Sequence, residues 1–266
     1  MAARNYFAAL TSLTHEEGSD EDTPAQQRKT KRTASSKNGQ TSSAQNFLAA
    51  AAASLSLDQA RDASKSATTS AAAAAEAPDG RNLLHLPLIW LDLEMTGLDL
   101  DRDTIVEIAC IVTDGDMRTV IEGPALAIHH PESVLTSMNA WCIEHHGASG
   151  LTQRVRESTI SMQEAEQQVL KFVQRHTEPK LAQLAGNSVH VDLAFLRKHM
   201  PLLAEHIPHR IVDVSTVVEL ARRWFPKAHK QAPKKKAAHT ALSDIRESIS
   251  ELRYYRDAVF KPRHGR

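Results

Sequence analysis

The chain has few of the residues that mark a secreted or membrane-spanning protein. It contains two cysteines, Cys110 and Cys142, which are not arranged as a CxxC pair. We therefore expect no disulfide framework, and a reducing compartment is the simplest interpretation. No apolar run approaches the roughly 20 residues needed to cross a bilayer. The sequence thus predicts a soluble protein without a membrane partner.

The chain also lacks an excess of either charge. Lysine and arginine total 32, aspartate and glutamate total 32, and the formal net charge is zero. Proteins that hold a long nucleic acid usually have a strongly basic surface, because such binding depends on many phosphate contacts. The charge balance argues against a long nucleic-acid tract as the main partner. It is compatible with a short oligonucleotide held in a pocket.

Aromatic residues make up 5% of the chain and are unevenly distributed. Residues 1–80 hold few of them, and alanine supplies most of the apolar side chains there. Such a segment cannot bury enough apolar surface to fold. We therefore expect a disordered low-complexity extension over residues 1–85, an ordered domain over residues 86–260 and a tail over residues 261–266.

Two segments of the extension have the composition of targeting signals. The chain begins with Arg4 among apolar and hydroxyl side chains, and no acid precedes Glu16, as in a mitochondrial presequence. The basic cluster at residues 28–32 resembles a nuclear-import signal. An ordinary solvated tail is the alternative for both. The predicted location is therefore mitochondrial, cytoplasmic or both, with the nucleus as a further alternative.

The ordered part has the pattern of an α/β domain. Residues 88–94 form an apolar run that ends in acids, which is typical of a buried central strand that ends at a site. The other predicted elements are strands at 104–113, 120–129, 181–185 and 211–214, helices at 137–146, 161–176, 190–200, 215–225 and 240–259, and a Pro/Lys-rich loop at 226–236. The three early strands should form an antiparallel meander within a central mixed five-stranded sheet flanked by helices.

Acidic residues are placed where they could hold metal ions. Asp92 and Glu94 are two residues apart on the first predicted strand, so their side chains leave the same face. Such paired carboxylates repel each other and lose hydration, and a hard cation such as Mg²⁺ or Mn²⁺ is the usual compensation. Asp192 follows a strand-to-helix junction, and Asp244 lies in the last helix. His239 can accept a proton from water near neutral pH.

Each of these residues also has an ordinary structural explanation. An acid in the first turn of a helix is favoured by the helix dipole, and His239 taken alone would be a surface histidine. The joint pattern is more informative. Four carboxylates can hold two metal ions roughly 3.5–4 Å apart, a geometry that suits phosphodiester displacement. A zinc hydrolase is disfavoured, because none of the 14 histidines forms a suitably spaced pair beside an acid.

Three segments carry the acids and the histidine. Residues 90–98 read WLDLEMTGL, residues 186–192 read GNSVHVD, and residues 239–248 read HTALSDIRES. In this order they resemble the three exonuclease motifs of the DEDDh superfamily, and more narrowly those of the oligoribonuclease family. The likeness extends from about residue 88 to residue 255. It implies an RNase H-like exonuclease fold.

The resemblance also implies an activity. The expected enzyme is a metal-dependent 3′→5′ exoribonuclease that degrades short oligoribonucleotides, especially dinucleotides, to nucleoside 5′-monophosphates. By the family pattern, four acids hold two divalent ions, Mg²⁺ or Mn²⁺; these acids are Asp92, Glu94, Asp192 and Asp244. By the same pattern, His239 is the general base. A DEDDh exonuclease acting on longer RNA or on DNA is the alternative. An inactive scaffold is disfavoured, because all five residues are present.

Three residues match the family's contacts to the bases and the 3′ nucleotide. Leu98 matches an apolar wedge between the two bases, and Trp141 and His146 match residues that hold the 3′ nucleotide. Trp141 has near-helical spacing to other apolar residues, so a role in the core is its alternative. A transition-metal site at His145 and His146 is disfavoured, because adjacent helical residues diverge by about 100°.

Further residues match the family's contacts to the 5′-terminal phosphate of single-stranded RNA. Ser188 matches a direct contact. Arg210 and Ser215 match residues that a second subunit of a homodimer contributes as a cap. His209 stands where the family commonly has tyrosine, and Ile211 replaces a second tyrosine, so the aromatic part of the cap differs in this chain.

Overall fold

The computed structural model describes residues 82–233 and 240–260, together with the backbone of a two-residue strand, Ala75–Glu76. The predicted targeting segments, the tail at 261–266 and His239 lie outside the described residues. Disorder before residue 82 therefore stays a prediction. No helix in the described part of the chain is both long and apolar enough to span a bilayer.

A short hairpin precedes the main sheet. Ala75–Glu76 pairs antiparallel with Asn82–Leu83. The Leu84 amide then donates to the His176 carbonyl at 3.2 Å, and the Leu84 side chain packs on the core. Residues 82–84, which the sequence placed in the extension, are therefore attached to the domain.

A five-stranded sheet forms the centre of the domain. Its strands are β1 (Leu88–Met95), β2 (Ile105–Thr113), β3 (Val120–Ala127), β4 (Gln183–Gly186) and β5 (Ile211–Asp213). They lie in the order β3-β2-β1-β4-β5. The first three strands pair antiparallel, whereas β4 is parallel to β1 and β5 is parallel to β4. The predicted meander and mixed sheet are confirmed.

Helices cover both faces of this sheet. They are α1 (Glu132–Thr136), α2 (Ala140–Ala148), α3 (Leu151–Glu157), α4 (Met162–His176), α5 (Val189–His199), α6 (Pro201–His206), α7 (Val214–Trp224), α8 (Pro226–Gln231) and α9 (Ala241–Val259). One core joins the sheet to α4, α5 and α6, and a second joins it to α7 and α9. Because both faces are covered, every residue of β1 and β2 is buried, as expected for central strands.

Some predicted elements differ from the observed ones. The segment predicted as a loop over 226–236 contains α8, which begins at Pro226; proline suits the first helical position, where its missing N–H costs nothing. The helix predicted over 137–146 begins only at Ala140, because the Asn139 side chain accepts from the Cys142 amide at 2.9 Å and caps it. The short helices α1, α3 and α6 were not predicted.

Glu166 provides a test of how the core is held together. This buried acid of α4 accepts hydrogen bonds from the Leu202 and Leu203 amides at 2.7 and 3.1 Å, which belong to the unpaired first turn of α6. Glu166→Ala should lower the free energy of unfolding by about 1–3 kcal/mol, because two amides lose their acceptor. Urea unfolding followed by circular dichroism measures this loss.

Glu164→Ala is the matched control. Glu164 also caps a helix, pairing with Ser161 at the start of α4, but it is exposed to solvent. Its loss should cost less than that of Glu166, because water can replace the lost bond. Equal losses for the two variants would contradict the role assigned to Glu166.

Candidate active site

Asp92 and Glu94 lie near the end of β1 on the face covered by α9. The preceding even-numbered residues, Leu88 and Trp90, belong to the core that packs against α9. Because side chains alternate along a strand, the two acids continue this row. Both are buried. The row therefore changes from apolar to acidic as it approaches the end of the strand.

Asp244 meets these acids from the opposite side. It lies in the first turn of α9, next to Ile245, which packs in the core below. Asp244 is 2% exposed. One carboxylate oxygen each from Asp92, Glu94 and Asp244 lie within 4.8 Å of one another. A hard cation that prefers oxygen ligands suits such a cluster.

Asp192 lies beside this cluster. It is buried in the first turn of α5, and its Oδ1 accepts from the Leu93 amide at 3.0 Å. Leu93 lies between Asp92 and Glu94, at a point beyond the pairing of β1 with β4, so its amide is available to a side chain. The structure thus brings three of the four predicted ligands into one cluster and places Asp192 next to it.

The site concentrates buried negative charge. Burial raises the pKa of Glu94 well above its usual value, and the neighbouring Asp92 raises it further. Burial and then Asp92 likewise raise the pKa of Asp192 to about 8. Buried charge is costly, and a divalent cation would offset that cost. The all-oxygen donor set therefore fits a hard divalent metal ion.

Glu107 is a buried acid that the sequence prediction missed. It lies opposite Glu94 in the β1–β2 pairing, so the two side chains share a face of the sheet. Arg154 of α3 donates to its Oε1 at 2.8 Å and also donates to the Ser149 carbonyl at 3.1 Å. Glu107 is therefore held by an ion pair. An acid within an otherwise apolar strand was the available signal.

His146 of α2 lies next to Glu94 of the acidic cluster. Its Nε2 is 2.9 Å from the Met95 carbonyl, and its Nδ1 is 4.0 Å from Glu94 Oε2. A carbonyl only accepts, so Nε2 carries the hydrogen. Burial lowers the pKa of His146, which favours the neutral ring. His146 thus holds the end of β1, and its contact with a nucleotide stays a prediction.

Leu98 lies in the segment after β1, and Trp141 lies in α2, the helix whose His146 contacts Met95 at the end of β1. Leu98 follows the strand and is half-buried against the larger core. Trp141 is half-buried in α2, where its ring stacks on that of His145 with centroids 3.9 Å apart. Trp141 also packs on a small core formed with α3, so its predicted base contact and its structural role are compatible.

The two predicted phosphate-binding serines lie together in one chain. Ser188 and Ser215 have their hydroxyl oxygens 3.2 Å apart. Asp213 Oδ1 accepts from both serine amides, at 3.0 and 2.9 Å. Ser188 has a positive φ of 54°, a conformation rarely adopted by residues other than glycine, and the amide contacts hold it there.

The placement of Ser215 corrects one expectation. The family pattern implied that Ser215 comes from a second subunit, whereas here it adjoins Ser188 within the same chain. The reason is topological: β5 is parallel to β4, so the helices that follow them, α7 and α5, begin side by side. Arg210 is exposed just before β5. Its role in a cap stays a prediction.

His239 lies outside the described residues, and its predicted role is unchanged by the structure. The described chain resumes at Thr240, the residue before α9. The Ala241 amide lies 3.4 Å from Glu107 Oε2. The described chain therefore resumes four residues before Asp244.

Comparisons with known proteins agree with this geometry. Residues 89–252 match the family model for RNase T-type exonucleases. The chain is 55% identical over 174 residues to the mitochondrial oligoribonuclease of Mus musculus, covering 65% of this chain and 73% of the mouse protein. It is 56% identical over 174 residues to the oligoribonuclease of Marinobacter nauticus, covering 65% of this chain and 96% of the bacterial one.

A solved structure supports the fold. Exonuclease I from Methylocaldum szegediense superimposes with a TM-score of 0.53 over 66% of this chain and 41% of that chain, at 20% sequence identity. At this level of identity the likeness concerns the fold alone. It agrees with the mixed sheet flanked by helices.

The raised pKa of Asp192 predicts how stability depends on pH without metal. Between about pH 4 and pH 8 the folded state holds a proton at Asp192 that the unfolded state has lost, so the free energy of unfolding falls as pH rises. Glu94 contributes with the same sign. Asp192→Asn keeps an acceptor for Leu93 and removes the charge. In EDTA at pH 8 it should raise Tm by roughly 2–4 °C, which corresponds to about 1 kcal/mol.

Thermal melts in EDTA at pH 5 and pH 8 measure this effect. The gain from Asp192→Asn should shrink at pH 5, where the wild-type carboxyl is already protonated. Asp257→Asn is the control, because Asp257 is largely exposed and should show no such difference. A variant that is less stable than wild type at pH 8 would contradict the prediction.

Proposed function

We propose, from the premise that this chain belongs to the oligoribonuclease family of DEDDh exonucleases, that it degrades short oligoribonucleotides from the 3′ end, especially dinucleotides, to nucleoside 5′-monophosphates. As a member of that family the chain is a nuclease, a hydrolase of phosphodiester bonds. The carboxylate cluster of Asp92, Glu94 and Asp244, with Asp192 beside it, carries the proposal. It combines buried acids in a way that a structural core does not require.

The acids serve to bind metal ions. Asp92, Glu94, Asp192 and Asp244 would hold two divalent ions, Mg²⁺ or Mn²⁺, since all their donor atoms are carboxylate oxygens. Such ions, when bound, stabilise the charge on the attacking and leaving oxygens of an in-line displacement. His146 contributes by fixing the backbone at Met95, next to Glu94.

His239 is the proposed general base. Its imidazole takes a proton from water as the water oxygen bonds to phosphorus. The bond between phosphorus and the 3′ oxygen of the preceding nucleotide breaks, and the electron pair stays on that oxygen, which then gains a proton. The terminal nucleotide leaves as a nucleoside 5′-monophosphate.

Side chains outside the carboxylate cluster would hold the substrate. Leu98 lies between the bases and Trp141 holds the 3′ nucleotide, while Ser188 binds the 5′-terminal phosphate through its hydroxyl group and Ser215 orients Ser188 by accepting from its amide. These groups are held in place at the end of the sheet, so the distance between phosphate and metal ligands is fixed. A fixed distance favours one substrate length, and the zero net charge of the chain agrees with a short substrate.

A homodimer would complete the pocket. Arg210 is exposed just before β5, as required of a residue that contacts substrate bound by a second subunit. The guanidinium group binds phosphate in a bidentate manner. The cap would then close the 5′ end and leave no path for further nucleotides.

The acid residues can be tested by substitution. Purified protein is incubated with 5′-labelled RNA of two to twenty nucleotides in Mn²⁺ or in EDTA. Wild type should degrade the dinucleotide only in the presence of metal. Asp92→Asn and Asp244→Asn should lower kcat by roughly 100-fold or more, since they remove direct ligands, whereas even outer-shell losses cost 10–100-fold. Asp257→Asn should have no effect.

Two outcomes would contradict separate parts of the proposal. If wild type shows no metal-dependent loss of the dinucleotide, the proposed exoribonuclease activity is wrong. If the twenty-nucleotide RNA is degraded as fast as the dinucleotide, the closed pocket is wrong, and the alternative of an exonuclease acting on longer RNA or DNA is favoured.

The cellular location is proposed to be mitochondrial. The mouse, human and bovine relatives are named mitochondrial oligoribonucleases. A fluorescent fusion of the full chain should co-localise with a mitochondrial marker, and a fusion without residues 1–20 should not. A cytoplasmic or nuclear signal for the full chain would favour the alternatives.

A further inference from the structure

Buried hydrogen bonds of Asn187 connect the pocket proposed for the 5′ phosphate, at Ser188 and Ser215, with helix α9, which carries the proposed metal ligand Asp244. Asn187 follows β4 and is 5% exposed. Its Oδ1 accepts from Ser215 Oγ at 3.2 Å, on the side of the phosphate-binding serines. Its Nδ2 lies 2.7 Å from Ser248 Oγ and 3.3 Å from Glu251 Oε2, both on α9. One amide side chain therefore bridges α7 and α9.

The bridge continues to a proposed metal ligand. Ser248 Oγ donates to the Asp244 carbonyl at 2.8 Å. Asp244 is the residue by which α9 enters the carboxylate cluster. A continuous path of hydrogen bonds thus runs from Ser188 through Ser215, Asn187 and Ser248 to the backbone of Asp244.

The hydrogen bonds have a defined direction. The single hydroxyl proton of Ser248 is donated to Asp244, so Ser248 must accept from the Asn187 amide group. The Glu251 carboxylate only accepts hydrogen bonds, so its contact with Asn187 also needs a donor on Asn187. Both requirements orient the NH₂ group toward α9 and leave the Asn187 carbonyl to accept from Ser215. A reversed amide would place its oxygen against a carboxylate.

We propose that Asn187 is a positioning residue that couples the 5′-phosphate pocket to the metal-binding end of α9. The inference rests on the proposed function, because it takes Ser188 as the phosphate-binding group, oriented by Ser215, which accepts from the Ser188 amide. Asn187 itself contacts neither substrate nor metal; it acts through Ser215 and Ser248. It fixes the Ser215 hydroxyl at one end and the first turns of α9 at the other.

The pocket has a second support, which separates coupling from folding. The backbones of Ser188 and Ser215 are held by Asp213, which accepts from both amides independently of Asn187. Removing the Asn187 side chain should therefore leave the serines in place. What changes is the orientation of the Ser215 hydroxyl and the support of Asp244.

Two variants break the path at different points. Asn187→Ala removes the bridge. Ser248→Ala removes the hydroxyl that links Asn187 to Asp244, leaves Asn187 bonded to Ser215 and Glu251, and keeps a good helix former in α9. Thr177→Val is the matched control. Thr177 also has a buried hydroxyl with two hydrogen bonds, to the Val173 carbonyl and to His206, but it lies at the end of α4, remote from this path.

Two measurements test the two ends of the hydrogen-bonded path, the metal-binding cluster and the 5′-phosphate pocket. The first is the affinity for Mn²⁺ alone, measured by calorimetric titration without nucleotide. The second is the ratio of kcat/KM for a 5′-phosphorylated diadenosine dinucleotide to that for the unphosphorylated one. Both path variants should bind Mn²⁺ roughly 10-fold more weakly, the lower end of the cost of outer-shell losses. Both should also show a smaller phosphate preference than wild type, whereas the control changes neither.

The outcomes separate the inference from the proposed function. If both path variants retain wild-type Mn²⁺ affinity, or if Mn²⁺ affinity falls while the phosphate preference stays at the wild-type value, the coupling is overturned. A control that loses as much as the path variants overturns it too, since the effect would then be one of general stability. A wild type that cleaves no dinucleotide contradicts the proposed function instead, because the Mn²⁺ titration needs no turnover.

Discussion

Buried negative charge at the end of one strand is the constraint on which the site depends. Along one face of β1, Leu88 and Trp90 pack under α9, and Asp92 and Glu94 follow in the same row. The apolar half fixes α9 on the sheet and thereby brings Asp244 against the two acids. Hydrophobic burial thus holds together carboxylates that would otherwise repel each other. The fold stabilises an arrangement that a cation then completes.

The carboxylate cluster and the network around Asn187, Ser188 and Ser215 differ in how their buried polar groups are stabilised. The acids have raised pKa values at Glu94 and Asp192, so their arrangement is costly without a cation. The region around Asn187 and the two serines is hydrogen-bonded internally, and the carboxylates of Glu251 and Asp213 accept from its amide groups. A network of this kind is rigid as folded. The site therefore combines one part that requires a ligand with one that is preorganised.

Much of this arrangement could be predicted from the sequence, but not all of it. Strand periodicity was sufficient to place Asp92 and Glu94 on one face. Asp192 needed the motif resemblance, because an acid in a first helical turn is common. Glu107 and Asn187 were missed, since their roles arise from pairing with residues distant in sequence. The same limitation explains the second-subunit assignment of Ser215, which depended on which helices begin side by side.

Sheet topology accounts for why the two regions lie so close. Strands β1, β4 and β5 are parallel, so their carboxyl ends meet at one edge of the sheet, where α/β proteins bind ligands. The acids lie near the end of β1, Asn187 and Ser188 follow β4, and Ser215 follows β5. The spacing between adjacent strands, about 4.8 Å, then sets the distance between phosphate pocket and metal ligands. Strand spacing would thus contribute to selectivity for a short substrate, together with the cap that closes the 5′ end.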